Sequence, residues 1–220
     1  MKKFLSDDAD SLSAPAKRIL LAAEALFATH GMESVSTRMI AREAGQRNHS
    51  ALQYHFGDKD GLLEAILNFR IAPINQERLR RLDAVKKRGR KISIEDLVRV
   101  FVEPFAAELL KPLSETAYVS LLAQLYAYQP GREMFARNRA RTRALHDITS
   151  LLIKAMQPLP VTVIHLRLQL LGRLTISTIA EWDDARRNHS IELDEHSLTW
   201  RTNSLVDFLV GGLSCPATGK

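Results

Sequence analysis

The chain has 220 residues, 45% of them hydrophobic and 25% charged, with a formal net charge of +6, which is enough apolar material for a packed core and sets aside a wholly disordered chain. Its one cysteine, Cys215, excludes an internal disulfide, and no stretch reaches the roughly 18 uninterrupted apolar residues of a membrane span, so the chain reads as a soluble cytoplasmic protein with no membrane partner. The basic balance is compatible with a polyanionic partner but does not by itself establish one.

Residues 1–13 read as a disordered tail: the two early lysines are not followed by an apolar run, and the stretch turns acidic at once. Beyond it the apolar pattern is helical nearly everywhere, which makes the chain all-α. "APAKRILLAAEALFATH" forms the first helix, with Ser13 as cap, Pro15 in the first turn, Leu20, Ala23 and Phe27 on one face and Gly31 as the stop. "TRMIAREA" follows Ser36, whose hydroxyl can accept from the free amides of the first turn, and ends at Gly45. "GQRNHSALQYHF" supplies a third short helix capped by Asn48. Gly57 and Asp58 separate it from the long pattern "KDGLLEAILNFRIAPINQERLRRLDAV", which Pro73 should kink or interrupt. Between Arg70 and Lys91 the sequence carries nine basic residues, and "KKRGRK" reads as a solvated loop. Further helices are expected at "SIEDLVRVFVEPFAAELLK", "SETAYVSLLAQLYAY", "REMFARNRARTRALHDITSLLIKAMQ", "VTVIHLRLQLLGRLTISTIAEWDDARR" and "DEHSLTWRTNSLVDFLVGGL", with prolines 112, 130, 158 and 160 at the joints.

The third helix is the informative one, because it has many hydrogen-bonding side chains and little apolar surface. Ala51, Leu52 and Phe56 can anchor it on Leu20, Phe27, Ile40 and Ala44, leaving Arg47, Asn48, His49, Ser50, Gln53 and Tyr54 outward. Two short helices joined by a tight turn, the second polar outside, make a helix-turn-helix unit whose second helix enters the major groove of DNA. Arg47 suits guanine, Asn48 or Gln53 suits adenine, and Ser36, Thr37, Arg38, Tyr54 and Lys59 suit phosphates, with His55 in a structural or phosphate-facing place. One such helix reads only a few base pairs, so a second copy is needed.

"RILLAAEALFATHGMESVSTRMIAREAG" and "YHFGDKDGLLEAIL" resemble the tetracycline-repressor (TetR) family of bacterial transcriptional regulators over about residues 17 to 67. The likeness lies in the first helix, the Gly-containing turn, the Ile-Ala-x-x-Ala-Gly helix, the Tyr-x-Phe region and the Lys-x-x-Leu start of the fourth helix. "AGQRNHSAL" is one residue longer in the turn than is common in the family, and Gln53 stands where Tyr is frequent. The resemblance implies a helix-turn-helix DNA-binding head at residues 14–59 and a larger helical ligand-binding and dimerisation domain at residues 60–213. It implies a homodimer on double-stranded operator DNA, released by a small-molecule effector. Phe101, Phe105, Tyr118, Tyr126, His146 and Trp182 are candidates to line the effector cavity, with ordinary core packing as the competing account. Leu170, Leu174 and Ser177, with Leu205, Phe208 and Leu209, are candidates for a four-helix subunit interface, against burial within the subunit. No cofactor, metal motif, phosphate loop or nucleophile elbow is present, so neither catalytic nor metal residues are assigned. The alternative is a helical adaptor whose head binds protein; a flat salt response would favour it, whereas DNA binding weakens steeply with salt.

Overall fold

Ser13 starts the first helix as expected: its hydroxyl accepts from the Ala16 amide at 3.4 Å, and helix α1 runs Ala14–His30 before Gly31 ends it. The computed structural model describes residues 12–46, 50–127 and 129–217, and among these the regular elements are ten α-helices and one short 3-10 turn. After α1 come α2 (Thr37–Glu43), α3 (Ser50–Phe56) and α4 (Lys59–Lys86). Then follow α5 (Ile94–Ala106) with the 3-10 turn Ala107–Leu110, α6 (Tyr118–Ala127), α7 (Gln129–Arg137), α8 (Arg139–Ala155), α9 (Val161–Arg187) and α10 (Glu195–Ser214). The expected tail lies almost wholly outside the described residues.

Two compact units divide the chain, one of residues 1–73 with 111–141 and the other of residues 74–110 with 142–220. In the first, α1 packs on α2, α3 and α6, and Ile19, Leu20, Ala23 and Phe27 are fully buried. Glu24 is also buried there, on an otherwise apolar face, and receives Arg70 from α4 at 2.6 and 2.9 Å and the Ala117 amide at 2.6 Å. Arg70 also donates to the Glu115 carbonyl at 2.5 Å, so one buried ion pair ties α1 to α4 and to the segment entering α6. In the second unit α10 packs along α5, and Arg78, 4% exposed, donates to the Phe101 carbonyl at 2.9 Å. Asp183, buried on α9, holds Arg186 at 2.7 Å and Arg187 at 2.9 Å.

Two features differ from the periodicity reading. Pro73 does not interrupt its helix: α4 is continuous through it. The ring is on the exposed side while Leu67, Ile71 and Ile74 are buried, and that continued apolar face outweighs the roughly 3 kcal/mol cost of an interior proline. The stretch from Arg132 to Gln157 is not one helix, because Asn138 separates α7 from α8 and its amide donates to Asn68 at 3.2 Å. Asparagine competes with helical hydrogen bonding, which suits it to such a break. Within the basic run, Arg70 and Arg78 are core residues. The loop after α4 is exposed, as expected, and is tethered: Arg88 and Arg90 reach the buried Asp96 at 2.9 and 2.8 Å. Burial alone would raise the Asp96 pKa, but hydrogen bonds from the Ser93 amide and hydroxyl and from Arg90 outweigh it and hold the carboxyl below its usual range.

Candidate nucleic-acid interface

The turn between α2 and α3 is set by how α2 ends. Gly45 adopts φ 64°, its amide donates to the Arg42 carbonyl at 3.1 Å, and the Gln46 amide reaches the Ala41 carbonyl at 2.9 Å. This paired pattern satisfies the last carbonyls of α2 and needs a residue at ease with positive φ. The Gln46 side chain folds back on the Ala44 carbonyl at 3.4 Å, so Gln46 belongs to the turn itself. At its start, α2 is capped by the Ser36 hydroxyl, which accepts from Met39 N at 3.2 Å.

Helix α3 is only seven residues long, and two of its side chains, Leu52 and Phe56, are buried against the frame of α1 and α2. Ala51 is half-buried. Leu20, Phe27 and Ile40, the residues expected to brace it, are fully buried, and Ala44 nearly so. Ser50, Gln53 and Tyr54 are exposed on the other side, Tyr54 at 85%, an exposure that packing alone does not account for in an aromatic residue. The His55 ring lies half-buried between Tyr54 and Phe56, with centroids 5.0 and 6.0 Å away. Ser36, Thr37 and Arg38 are exposed at the start of α2, where hydroxyl O–H donors and a guanidinium can meet phosphate oxygens. Arg47, Asn48 and His49, including the expected cap Asn48, lie outside the described residues.

Lys59 is placed differently from the expectation of a phosphate contact. Its ammonium donates to the Met32 carbonyl at 2.6 Å and the Val35 carbonyl at 3.0 Å, holding the α1–α2 turn against the first residue of α4. Two of its three N–H donors are thereby engaged inside the head. The same corner depends on Gly61, where a Cβ would come within 2.2 Å of the Phe56 carbonyl oxygen, and on Asp58, whose carboxylate accepts from the Gly61 amide at 2.7 Å. Sequence reasoning missed Glu24, Arg70 and Gly61. An acid within the apolar stripe of α1 was the available signal for Glu24; nothing local pointed to its partners.

Residues 19–66 match the family model of bacterial regulatory proteins, tetR family. The match falls on the amino-terminal head, which is similar to the tetR family over these residues. The matched segment runs from α1 through the helix-turn-helix to the first turns of α4, so the TetR match covers the exposed face of α3 and the clamp that positions it. Solved structures extend the likeness to the rest of the fold. Mycobacterium smegmatis AmtR is 25% identical with a TM-score of 0.58, covering 92% of this chain and 87% of that one. NalD, the secondary repressor of the MexAB-OprM multidrug efflux pump in Pseudomonas aeruginosa, is 22% identical with a TM-score of 0.58, covering 94% and 97%. The transcriptional regulator FadR from Bacillus subtilis, solved in complex with stearoyl-CoA, is 16% identical with a TM-score of 0.61, covering 89% and 98%. Comparison with curated proteins returned no match.

The other expected sites are placed unevenly. Of the effector-cavity candidates, Phe105 and Tyr118 are buried, Phe101, Tyr126 and Trp182 half-buried and His146 exposed. Tyr118 and Tyr126 belong to the first unit and the other four to the second, so the set is not gathered within one unit. Phe101 is stacked by the Arg78 guanidinium at 5.2 Å and Tyr126 meets Phe135 edge-on at 5.5 Å, both ordinary core arrangements. Among the interface candidates, Leu170 and Phe208 are 46% and 68% exposed, Ser177 is exposed and Leu174 half-buried. Leu205 and Leu209 are instead core residues of the second unit, because they fall on the face of α10 that also carries Leu198 and Val206. No group of three or more metal-ligating side chains occurs among the described residues, and no described helix is long and apolar enough to cross a membrane.

Proposed function

We propose that the protein is a homodimeric transcriptional repressor that binds double-stranded operator DNA through α3 and is released by a small-molecule effector. The observation that carries the reading is the exposed polar face of α3 on a braced, TetR-type head: Ser50, Gln53 and Tyr54 are solvent-facing while Leu52 and Phe56 are buried beneath them. Gln53 offers amide groups for an adenine edge, and Ser36, Thr37 and Arg38 offer phosphate contacts at the start of α2. Arg47, Asn48 and His49 complete the proposed DNA-reading set, and His55 supports it from behind.

A single seven-residue helix reads too few base pairs for useful specificity, so the reading requires two heads about 34–36 Å apart on one duplex, or somewhat more. Leu170, Leu174, Ser177 and Phe208, on α9 and α10, are the surface proposed to join the subunits. Exposed apolar side chains on two long helices support that assignment. An effector among the helices after α4 needs a coupling of only about 1–3 kcal/mol to weaken operator binding several-fold to a hundredfold. The likeness to a regulator solved with stearoyl-CoA and to an efflux-pump repressor supports ligand responsiveness and repression. The reading assigns no enzymatic activity and places the protein in the cytoplasm.

Selection of bound fragments from random genomic DNA, followed by affinity measurement on the best fragment at several salt concentrations, tests it. We expect a twofold-symmetric site and an affinity that falls steeply with salt, as displacement of phosphate counterions requires. Gln53→Ala should relax base preference while Arg38→Ala weakens all sequences alike. Absence of an enriched fragment, or a flat salt response, overturns the reading.

A further inference from the structure

Helix α10 has two faces. Leu198, Leu205 and Leu209 lie on the buried one, and along the opposite one Trp200, Ser204, Asp207 and Phe208 are exposed and Arg201 is half-buried. Outward from Ser204, this second face is the same in kind in both directions: a charged residue three positions away, then an aromatic residue four positions away. Arg201 and Trp200 stand on one side, Asp207 and Phe208 on the other. Only the sign of the charge differs. At 3.6 residues per turn, the five residues fall within about 60° to either side of one line.

Both rings are out of the core, Trp200 at 52% exposure and Phe208 at 68%, and large apolar side chains gathered in one exposed stripe mark a contact surface. The two charges have no opposite charge to meet inside the subunit. Arg201 lays its guanidinium over the Trp200 ring at 4.7 Å and forms no ion pair among the described residues, and neither does Asp207. Along α10 the reason is local: the residues three and four positions away in either direction are uncharged for both.

Charge complementarity says what covers this face. A twofold contact has the same patch on both sides, so that residue i meets j and j meets i. Two copies of α10 that run antiparallel and cross at Ser204 set Trp200 level with Phe208 of the partner subunit and Arg201 level with Asp207 of the partner subunit, each contact made twice. A parallel pairing sets like charge against like charge at both positions, which is repulsive. An antiparallel slip of one turn sets Arg201 level with Gly211 of the partner subunit and leaves both charges unpaired. We infer that the exposed face of α10 is a self-recognition surface, covered by the same face of a second copy in one antiparallel register fixed by two Arg201–Asp207 ion pairs. The inference rests on the homodimer reading and adds to it the register and the pair that selects an identical chain.

Self-association of the full chain is followed by sedimentation equilibrium, and the fold of each variant by its melting curve. Asp207→Arg should weaken self-association at least tenfold, and so should Arg201→Glu. An equimolar mixture of the two single variants should recover it to within threefold of the unaltered chain, because both pairs in the mixed dimer are again of opposite charge. The register has a measurement of its own. A helix crossing of about 8–10 Å brings facing Cα atoms within reach of a disulfide, so Ser204→Cys in a Cys215→Ser background should cross-link to its own copy on mild oxidation. Gly211→Cys in the same background, where a Cβ meets nothing within 4 Å, should not, since the two copies of that position lie about 21 Å apart along the helices. Asp207→Arg and Ser204→Cys alter only exposed positions, so neither puts the fold at risk. A chain that stays monomeric overturns the homodimer reading and the inference together. A dimer that is unaffected by Asp207→Arg, not recovered in the mixture, or not cross-linked through position 204 overturns the inference alone.

Discussion

Helices α3 and α10 both present aromatic side chains to solvent, and they do so in opposite ways. In α3, seven residues long, the exposed Tyr54 stands among Ser50 and Gln53, with only Leu52 and Phe56 buried beneath. In α10, twenty residues long, six residues are buried, and the exposed Trp200 and Phe208 lie along one stripe of a helix that needs no help to hold its place. A short helix with an outward polar face is stable only because its neighbours brace it, and its surface is free to be chosen for hydrogen bonding. A long helix with a deep apolar face is held by its own burial, and residual apolar exposure points to another apolar surface. The contrast is what supports the proposed roles, α3 for a polar groove and α10 for a subunit interface.

The bracing side of that contrast is the easiest to break. Glu24→Ala leaves the Arg70 guanidinium buried without its carboxylate and frees the Ala117 amide, which should cost about 3–5 kcal/mol in chemical denaturation. A loss below about 1 kcal/mol would mean that α1 is held to α4 and α6 by apolar packing alone. Lys59→Met should cost less, about 1–3 kcal/mol, because it strips the ammonium from the Met32 and Val35 carbonyls. It should also weaken binding to every DNA sequence. Arg38→Ala is the companion measurement: the same uniform loss of DNA affinity with an unchanged melting temperature, since Arg38 is exposed. If both variants melt alike, Lys59 is a phosphate contact and not a clamp.

The surface side of the contrast predicts smaller effects on the fold. Phe208→Ser removes an exposed ring, so subunit stability should change by no more than about 0.5 kcal/mol while sedimentation shifts toward monomer. An unchanged sedimentation coefficient would remove α10 from the subunit interface. The smallest effect is electrostatic. Hydrogen bonds from Arg80 and Arg81 lower the Glu77 pKa from 4.5 to about 2, so the carboxylate contributes stability above about pH 4.5 that is lost as pH falls toward 2. A partly exposed pair of this kind contributes roughly 0.2–1 kcal/mol, and Glu77→Gln should abolish that part of the acid dependence.

Helix α1 was legible residue for residue, because its cap, first-turn proline, apolar stripe and terminal glycine are all local signals. The α2–α3 pair was legible for the same reason, together with the polar excess on α3 that marked its outer face. The break at Asn138 was not, since an asparagine is tolerated inside many helices and its partner Asn68 is 70 residues away. Leu205 and Leu209 were mistaken for interface because an apolar stripe on a long helix carries no label for which core it enters.

Local chemistry along the chain determined helix α1, the caps at Ser13 and Ser36 and the tight turn at Gly45, because each of those depends on neighbours within a few residues. Which charged side chains would be buried, and against what, was decided only by the tertiary structure. Glu24 meets Arg70 across 46 positions and Lys59 meets Met32 across 27, and no periodicity in the sequence encodes a distance of that kind. The residue types proposed to read DNA were therefore visible in the order of the amino acids, while the clamp that holds their helix in position exists only in the folded chain.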